Sequence, residues 1–593
     1  MKCKFYKISL FFVLIKYIIS FYPYEQLLTG EIISSDDYFE IKKAPFDNNT
    51  STSFESFYDK CWIGLDLLSE NYITKIGFAQ NSIDKLNYIL GIFEGANTNN
   101  FYDAVPLYMI KEEVKLNEIN YVDIFTNRPF RYIRYVGPSN RKCIISEIKI
   151  YGFSNKLDIL DHIYNQENYF YQPTNIPLLI MNTGNLRDYH EYNNFLDCFV
   201  YIINDNKIEI SGTARRKYRG NGSLIFPKLS YSLKFTEEKK TFLDFPSKSK
   251  NWVLISNYAD KSLIRNLLSQ EVSRLFGMKY TINCQPIDYI CNGEYLGNYI
   301  ICEKIEVKRD RINISKIYEN SISYPEITGG YLIEIDAYAY TEKSKFISFK
   351  NTDVTINYPK EDKILPEQHM YIENKFNQME RKVFKSDLSN IDIDSFVQYF
   401  LIQEFCGNTD AYWSVKMYKE RNDEHFYFGP IWDFDLSFDN DIFFYPMNKI
   451  NKFLFEYANS FKETPKLIEK ILIEESVIKK IKYLWKSVYD NKLKNNYMNL
   501  YIDELIKKIN ESQKLNFIRW NILDKIIMGR NPIIKYTFEN EIIFLKEFIK
   551  ERMKWMNINI LNDNLYEKYK RNTQKYLKIR YLFKIFIIFV YYR

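Results

Sequence analysis

Residues 407–438 read "GNTDAYWSVKMYKERNDEHFYFGPIWDFDLSF", and the way this stretch folds decides which carboxylates meet. Two runs alternate in polarity, Ser414 to Lys419 and His425 to Ile431, with Asn422-Asp423 between them as turn residues. The pattern predicts a β-hairpin. The midpoint between Asp410 and Asp433 falls within a residue of that turn, so the ribbon returns both carboxylates to the same end. Like charges brought within several ångström repel and raise one another's pKa unless a cation lies among them. A hard divalent ion, Mg²⁺ or Mn²⁺, is the economical solution, since such ions keep waters and bind substrate phosphates beside one or two carboxylates. "NTD" and "WDFD" thus meet at the open end of the ribbon.

Upstream of the hairpin, "IDSFVQYFLIQEFCGN" has the period of a buried helix that stops at Gly407 and leaves Asp410 on the following turn. Earlier still, Leu263, Ile264, Leu267, Leu268, Val272, Leu275 and Phe276 recur at helical spacing, with Asp260 or Ser262 to cap the start and Gly277 suited to the end. Arg265 lies in the first turns, where a cation opposes the helix dipole; it is either held by an acidic partner or phosphate, or is an ordinary surface arginine. "PIDYICNGEYLGNYIICEKI" reads as a hairpin turning at Asn292-Gly293, and "GGYLIEIDAY" as a further strand. In "TARRKYRGNGSLIFPKLSYSLKF", residues 213–235, a glycine-bearing turn precedes an alternating strand with Tyr231, Leu233 and Phe235 on one face and Lys234 on the other. Such a turn lets backbone amides approach a phosphate. This half of the chain is expected to be a mixed α+β domain, followed over residues 451–570 by a charged, strongly helical lobe.

The first third has a different texture. "CWIGLDLL", "YITKIGFAQ", "YILGIFEGAN", "YVDIFT", "FRYIRYVGP" and "CIISEIKIYG" are short alternating segments separated by turn residues, the pattern of an all-β sandwich over residues 31–152. Before it, Lys2, Lys4 and Lys7 precede an apolar run within residues 1–22, the charge order of a secretory signal. Lys16 interrupts the run, leaving cleavage and retention as an anchor both open. The apolar tract Ile585 to Tyr592, inside a basic and apolar tail at 571–593, falls short of the roughly 20 residues that span a bilayer.

Bulk properties narrow the function classes. A chain of 593 residues exceeds one core, and about 150 residues per domain makes three or four units. With 46% hydrophobic and 26% charged residues it has ample material to fold. The net charge of +6 comes from 81 Lys+Arg against 75 Asp+Glu spread along the whole length, which disfavours a nucleic-acid partner. Four histidines (His162, His190, His369 and His425) form no HExxH, the eight cysteines lack paired CxxC spacing, and no GxSxG is present. Zinc-hydrolase and serine-hydrolase chemistry are thereby disfavoured.

Two resemblances carry these readings further. The sandwich segments, with "GANTNNFYDAVPLY" as an extruded loop, occur in the order of the discoidin, or coagulation factor C-type, galactose-binding-like fold. That resemblance implies a disulfide between Cys61 and Cys143, stabilising by roughly 4 kcal/mol on the chain-entropy model. It also implies binding of a glycan, surface or protein ligand through loops, of which "NTNNFYD" is the first to inspect. "RGNGSLIFPKLSYSLKF", "NWVLISNYADKSLIRNLLSQEV", "NGEYLGNYIICEKI", "GGYLIEID", "GNTDAYW" and "GPIWDFDLSF" occur in the order seen in the CotH family, the spore coat protein H-like atypical kinases.

The CotH resemblance implies a kinase-like core over residues 172–450, transferring phosphate from ATP to serine or threonine of exported proteins with Mg²⁺ or Mn²⁺. By that resemblance Asp410 looks like the catalytic aspartate, Asp433 the metal ligand, and Asp435 a second ligand or a support. Lys234, with Lys228 as rival, would pair the nucleotide phosphates, Glu303 would be the acidic partner, and Arg219 and Asn221 would lie near the phosphates. The family commonly has Asn where this chain has Val415; Ser414 is the neighbouring hydroxyl able to take its place at the metal. The departure keeps a pseudokinase acting as adhesion or scaffold protein open, as well as a nucleotidyl transferase using an inverted nucleotide.

Overall fold

A computed structural model describes residues 25–35, 39–56, 61–126, 128–154, 169–184, 194–220, 222–237, 241–441, 451–456, 466–530 and 532–562. The expected leader, the C-terminal tail and Asn221 lie outside the described residues. Among the described residues no helix is long and apolar enough to cross a membrane.

The N-terminal module is all β. Strands β1 (Gln26–Leu28), β2 (Glu31–Ser34), β3 (Phe54–Ser56), β4 (Trp62–Ala79), β5 (Ile92–Ala96), β6 (Val105–Met109), β7 (Asn120–Asp123), β8 (Phe130–Val136), β9 (Cys143–Ile145) and β10 (Glu147–Ser154) form a large sheet and a small one. The large sheet runs β1-β10-β4-β8-β5-β6, with β2 and β7 also pairing β4, and β3 pairs β9 in the second sheet. Strand β4 reaches so many partners because it is 18 residues long. Ile63 and Leu65 in its first half, and Ile76 and Phe78 past the register shift opposite Tyr151 and Gly152, are buried, as period-2 patterning requires on either side of the irregularity. Cys61 and Cys143 are bridged with their Cα atoms 6.0 Å apart, the pairing implied by the discoidin resemblance.

The next module is a closed barrel of β11 (Leu178–Asn182), β12 (Leu196–Asn204), β13 (Lys207–Arg219), β14 (Ser230–Phe235), β15 (Asn251–Ile255), β16 (Cys284–Cys291) and β17 (Glu294–Glu303). Its order is β11-β12-β13-β14-β15-β17-β16, and it closes where β11 lies parallel to β16. Leu179, Ile202, Leu233, Phe235, Trp252 and Tyr289 belong to its interior cluster. Asn292 and Gly293, with φ of 51° and 81°, make the tight β16–β17 turn, the left-handed pair that matches strand twist. The sequence pattern predicts β14 and the β16–β17 hairpin but not the closure of the barrel, which depends on hydrogen bonds between segments far apart in the chain.

Sandwich and barrel share a core. Ile92, Phe93 and Tyr135 of the first belong to one apolar cluster with Leu178, Ile180, Tyr201, Ile203, Ile290 and Tyr295 of the second. The loop expected to offer a sugar site is turned onto this junction. Asn182 donates to the Ala104 carbonyl at 2.8 Å, and the Tyr201 hydroxyl donates to the Asp103 carbonyl at 3.3 Å. Tyr102 packs edge-on against Phe199, with ring centroids 5.8 Å apart. The Asp103 carboxylate is occupied by the backbone amides of Asn97 and Thr98, the Thr98 hydroxyl and Arg128. Half of this loop therefore fastens two modules together.

The remaining core joins a five-stranded sheet to helices. The sheet order is β19 (Lys345–Ile347), β20 (Asp353–Tyr358), β18 (Tyr331–Asp336), β21 (Ser414–Lys419), β22 (Phe426–Phe428). The helices are α1 (Arg265–Leu275), α2 (Pro366–Val383), α3 (Ile393–Cys406), α4 (Lys466–Leu472), α5 (Glu475–Asn491), α6 (Tyr497–Arg519) and α7 (Phe538–Leu561). One cluster takes in Leu268 of α1, Ile333 of β18, Phe400 of α3, Trp485 of α5 and Leu545 of α7, so the C-terminal helices complete the lobe that carries the hairpin.

Candidate functional site

Helix α3 ends at Gly407, whose φ of 62° and ψ of 41° give the left-handed cap that its lack of a Cβ permits. The chain then turns through Asn408, whose side-chain oxygen accepts the Asp410 amide at 3.3 Å. Strand β21 leaves from there, pairs with β22, and the chain comes back to Asp433, itself at φ 65°. The segment beyond is held from beneath by α1. Asn266 accepts the Phe434 amide at 3.0 Å, and Arg265 donates to the Ser437 carbonyl at 3.1 Å. Arg265 is buried and paired with Asp260 at 2.5 Å. It thus has the acidic partner that its place in the helix calls for, and it fixes the loop carrying Asp433 and Asp435.

Asp410, Asp433 and Asp435 form one interacting cluster. Burial, then repulsion from Asp435 and Asp410 and a hydrogen bond with Asp435, push Asp433 up to about 8, with Arg219 opposing. Its side chain is open to water yet ringed by protein mass, as befits the floor of a cleft. Burial is also the main cause that pushes Asp410 up to about 6, joined by Asp435, Glu334 and Asp441 and opposed by Arg530. Among the described residues no group of three or more His, Cys, Asp or Glu side chains is gathered closely enough to cage a metal by itself. The donor set nonetheless suits a divalent ion, which needs only one or two carboxylates when phosphates and waters complete its shell. Protonation of Asp433, which its raised pKa favours, would relieve the repulsion with Asp435, and a cation would do so more completely.

Facing this acidic floor is a basic wall on the barrel's outer surface. Lys217 and Arg219 share a face of β13, and Arg219 stacks over the Trp432 ring at 5.2 Å. Lys304, just past β17, lies within electrostatic reach of Arg219, Lys217, Lys360 and Glu306; burial is the first of the causes that lower its pKa.

The structure separates some of the residues expected to act together. Lys234 pairs in register with Arg215 and Asn251 on the outer face, while Glu303 pairs with Trp252, one position away and on the opposite face. A Lys234–Glu303 ion pair is therefore ruled out by strand parity. The Glu303 carboxylate instead accepts from the Asn283 side chain at 2.8 Å. Lys228 is buried away from the cleft, donating to Asn516 at 2.9 Å and to the Asn298 carbonyl. Its role is to tie α6 to the barrel. The Ser414 hydroxyl donates to Glu334, which also pairs with Lys416 at 2.6 Å, so Ser414 is committed away from Asp433. Val415 is fully buried in the apolar core.

Sequence reasoning missed Arg530, Glu334, Asp441 and Lys304. Arg530 pairs with Asp435 from the connection between α6 and α7, nearly a hundred residues downstream, and no local pattern marks it.

A family model described as CotH kinase protein matches residues 217–556, more than half of the chain. No curated protein matches it. Solved structures resemble the N-terminal part. CBM62 from Clostridium thermocellum Xyl5A is 34% identical, covering 22% of this chain and 97% of that one with a TM-score of 0.21. CpGH89CBM32-6 from Clostridium perfringens is 15% identical, over 21% of this chain and 92% of its own, with a TM-score of 0.18. An F5/8 type C domain from Bacteroides fragilis is 14% identical, over 21% and 91%, with a TM-score of 0.18.

Proposed function

The chain belongs to the CotH kinase family, and from that premise we propose that it transfers the γ-phosphate of ATP to serine or threonine hydroxyls of exported proteins. The observation that carries this reading is the meeting of an acidic floor, Asp410, Asp433 and Asp435, with a basic wall that includes Arg219 and Lys304. Arg219, Lys217 and Lys304 would take the negative charge of the triphosphate, a preorganised electrostatic arrangement of the kind that dominates phosphoryl transfer. Asp433 would hold Mg²⁺ or Mn²⁺ with Asp435, which supplies charge neutralisation at the phosphates when bound. Asp410, its pKa pushed up to about 6, is a carboxylate able to accept the acceptor hydroxyl's proton near neutral pH. The sandwich would present or position the acceptor, and a glycan or surface ligand would have to use a face other than the loop half fastened to the barrel.

A second reading, a pseudokinase scaffold, is favoured by one observation: Val415 is buried in the core and Ser414 is committed to Glu334, leaving the hairpin without the family's extra metal donor. Incubation with Mg²⁺ or Mn²⁺ and ATP labelled at either the γ or the α phosphate, beside Asp410→Ala and Asp433→Ala, separates the readings. Transfer of γ label alone, lost in both variants, supports the kinase. Transfer of α label points to nucleotidyl transfer, and no transfer to any acceptor points to the scaffold.

A further inference from the structure

Five cysteines outside the Cys61–Cys143 bridge are described, and two of them face each other. Cys284 at the start of β16 and Cys302 near the end of β17 are direct partners in the antiparallel register. By contrast Cys291 is opposite Glu294, and Cys198 opposite Ala214.

The type of pairing matters. The Glu303 amide donates to the Asn283 carbonyl at 3.0 Å, which makes that opposed pair a hydrogen-bonded one. The next pair, Cys284 with Cys302, is then of the non-hydrogen-bonded kind, in which Cα atoms approach to about 4.5 Å and side chains lie closest. A disulfide requires Cα atoms about 4.4–6.8 Å apart. Both side chains pack against the same apolar cluster, so they share a face. Cys302 is fully buried and Cys284 is half-buried, so Cys284 is the more accessible of the two.

We propose that Cys284 and Cys302 form a dithiol that closes to a cross-strand disulfide, with an external disulfide such as oxidised glutathione as the electron acceptor. The Cys284 thiolate attacks one glutathione sulfur, forming a mixed disulfide and releasing the first glutathione thiolate. Cys302 then attacks the Cys284 sulfur, its proton passing to the departing glutathione thiolate, and the second glutathione leaves as a thiol. The protein loses two electrons and two protons, and the glutathione disulfide becomes two thiols. The order follows from access, since Cys284 is the more accessible to the oxidant. The link pins the end of β17, from which the chain carries Lys304 into the cleft.

The full chain, treated with oxidised glutathione, denatured, blocked with N-ethylmaleimide and digested without reduction, tests this by peptide mass mapping. A linked peptide pair carrying Cys284 and Cys302, with N-ethylmaleimide on Cys198, Cys291 and Cys406, is the expected result; the Cys61–Cys143 peptide serves as internal control. Alkylation of both Cys284 and Cys302, a persistent glutathione adduct on Cys284, or linkage of either to another cysteine overturns the proposal.

Discussion

At the scale of single residues, the site is held together by ions the solvent scarcely sees. Glu404 and Arg552 are fully buried and 3.1 Å apart. Glu404 also accepts the Leu454 and Phe455 amides at 2.7 and 2.9 Å and the Tyr412 hydroxyl at 2.6 Å, directly behind Asp410. Replacing Arg552 with Met leaves a buried carboxylate without its counter-charge, so unfolding stability should fall by about 3–5 kcal/mol, read from urea midpoints. Asp433→Asn should act in the opposite direction. It removes repulsion with Asp435 and Asp410, so the variant without metal should melt above the parent while losing stabilisation by Mg²⁺ and ATP. Calorimetry with and without nucleotide reads both effects. The neighbourhood of Asp410 and Asp433 was legible because the two lie at similar distances on either side of a recognisable turn. The Lys234–Glu303 pairing was not, because a shift of one residue in register exchanges the faces of a strand, and register between distant strands is not a local property.

At the scale of elements, loops and caps set the geometry. A Cβ added at Gly407 would lie 2.9 Å from the Phe548 ring, at a φ of 62°. Gly407→Ala should therefore cost about 1–2 kcal/mol for the left-handed backbone alone, with further loss from the contact, and should depress activity by displacing Asp410. Thermal melts and turnover on the same sample check both. The Asp103 loop carries a pH signature. Against burial, which would raise it, the Thr98 hydroxyl, Arg128 and the Asn97 and Thr98 amides hold the Asp103 carboxyl below its ordinary value. A depressed carboxylate contributes stability above the unfolded value of about 4, and that contribution is lost as pH falls through the folded value. Asp103→Asn should thus be less stable than the parent at neutral pH, and the gap should close on acidification below about 4, followed by melting from pH 6 downward. Helix α3 and the 414–428 hairpin are the best-predicted elements because period and turn residues coincide there, whereas closure of β11 on β16 left no trace in either strand's pattern.

At the scale of the whole molecule, the first module is a structural part of the second. Removing residues before 172 would expose Leu178, Ile180, Tyr201, Ile203 and Ile290, which now share a core with the sandwich. The shortened protein should aggregate or bind a hydrophobic dye strongly, as light scattering and dye fluorescence would show; a soluble, dye-silent fragment would contradict the shared core. Helix α6 adds a second bond across the molecule. Asn516 accepts from Lys228 at 2.9 Å and from the Asn298 amide at 3.1 Å, Ser512 donates to Asp288 at 2.6 Å, Arg519 meets Glu294 at 2.7 Å, and Trp520 donates to the Leu296 carbonyl at 2.9 Å. A helix bolted along β16 and β17 in this way leaves no free hinge about which the barrel and the helical lobe would swing apart. Under the kinase reading proposed above, nucleotide would then have to enter by a local opening, and the contact of Arg530 with Asp435 is one that such an opening would break.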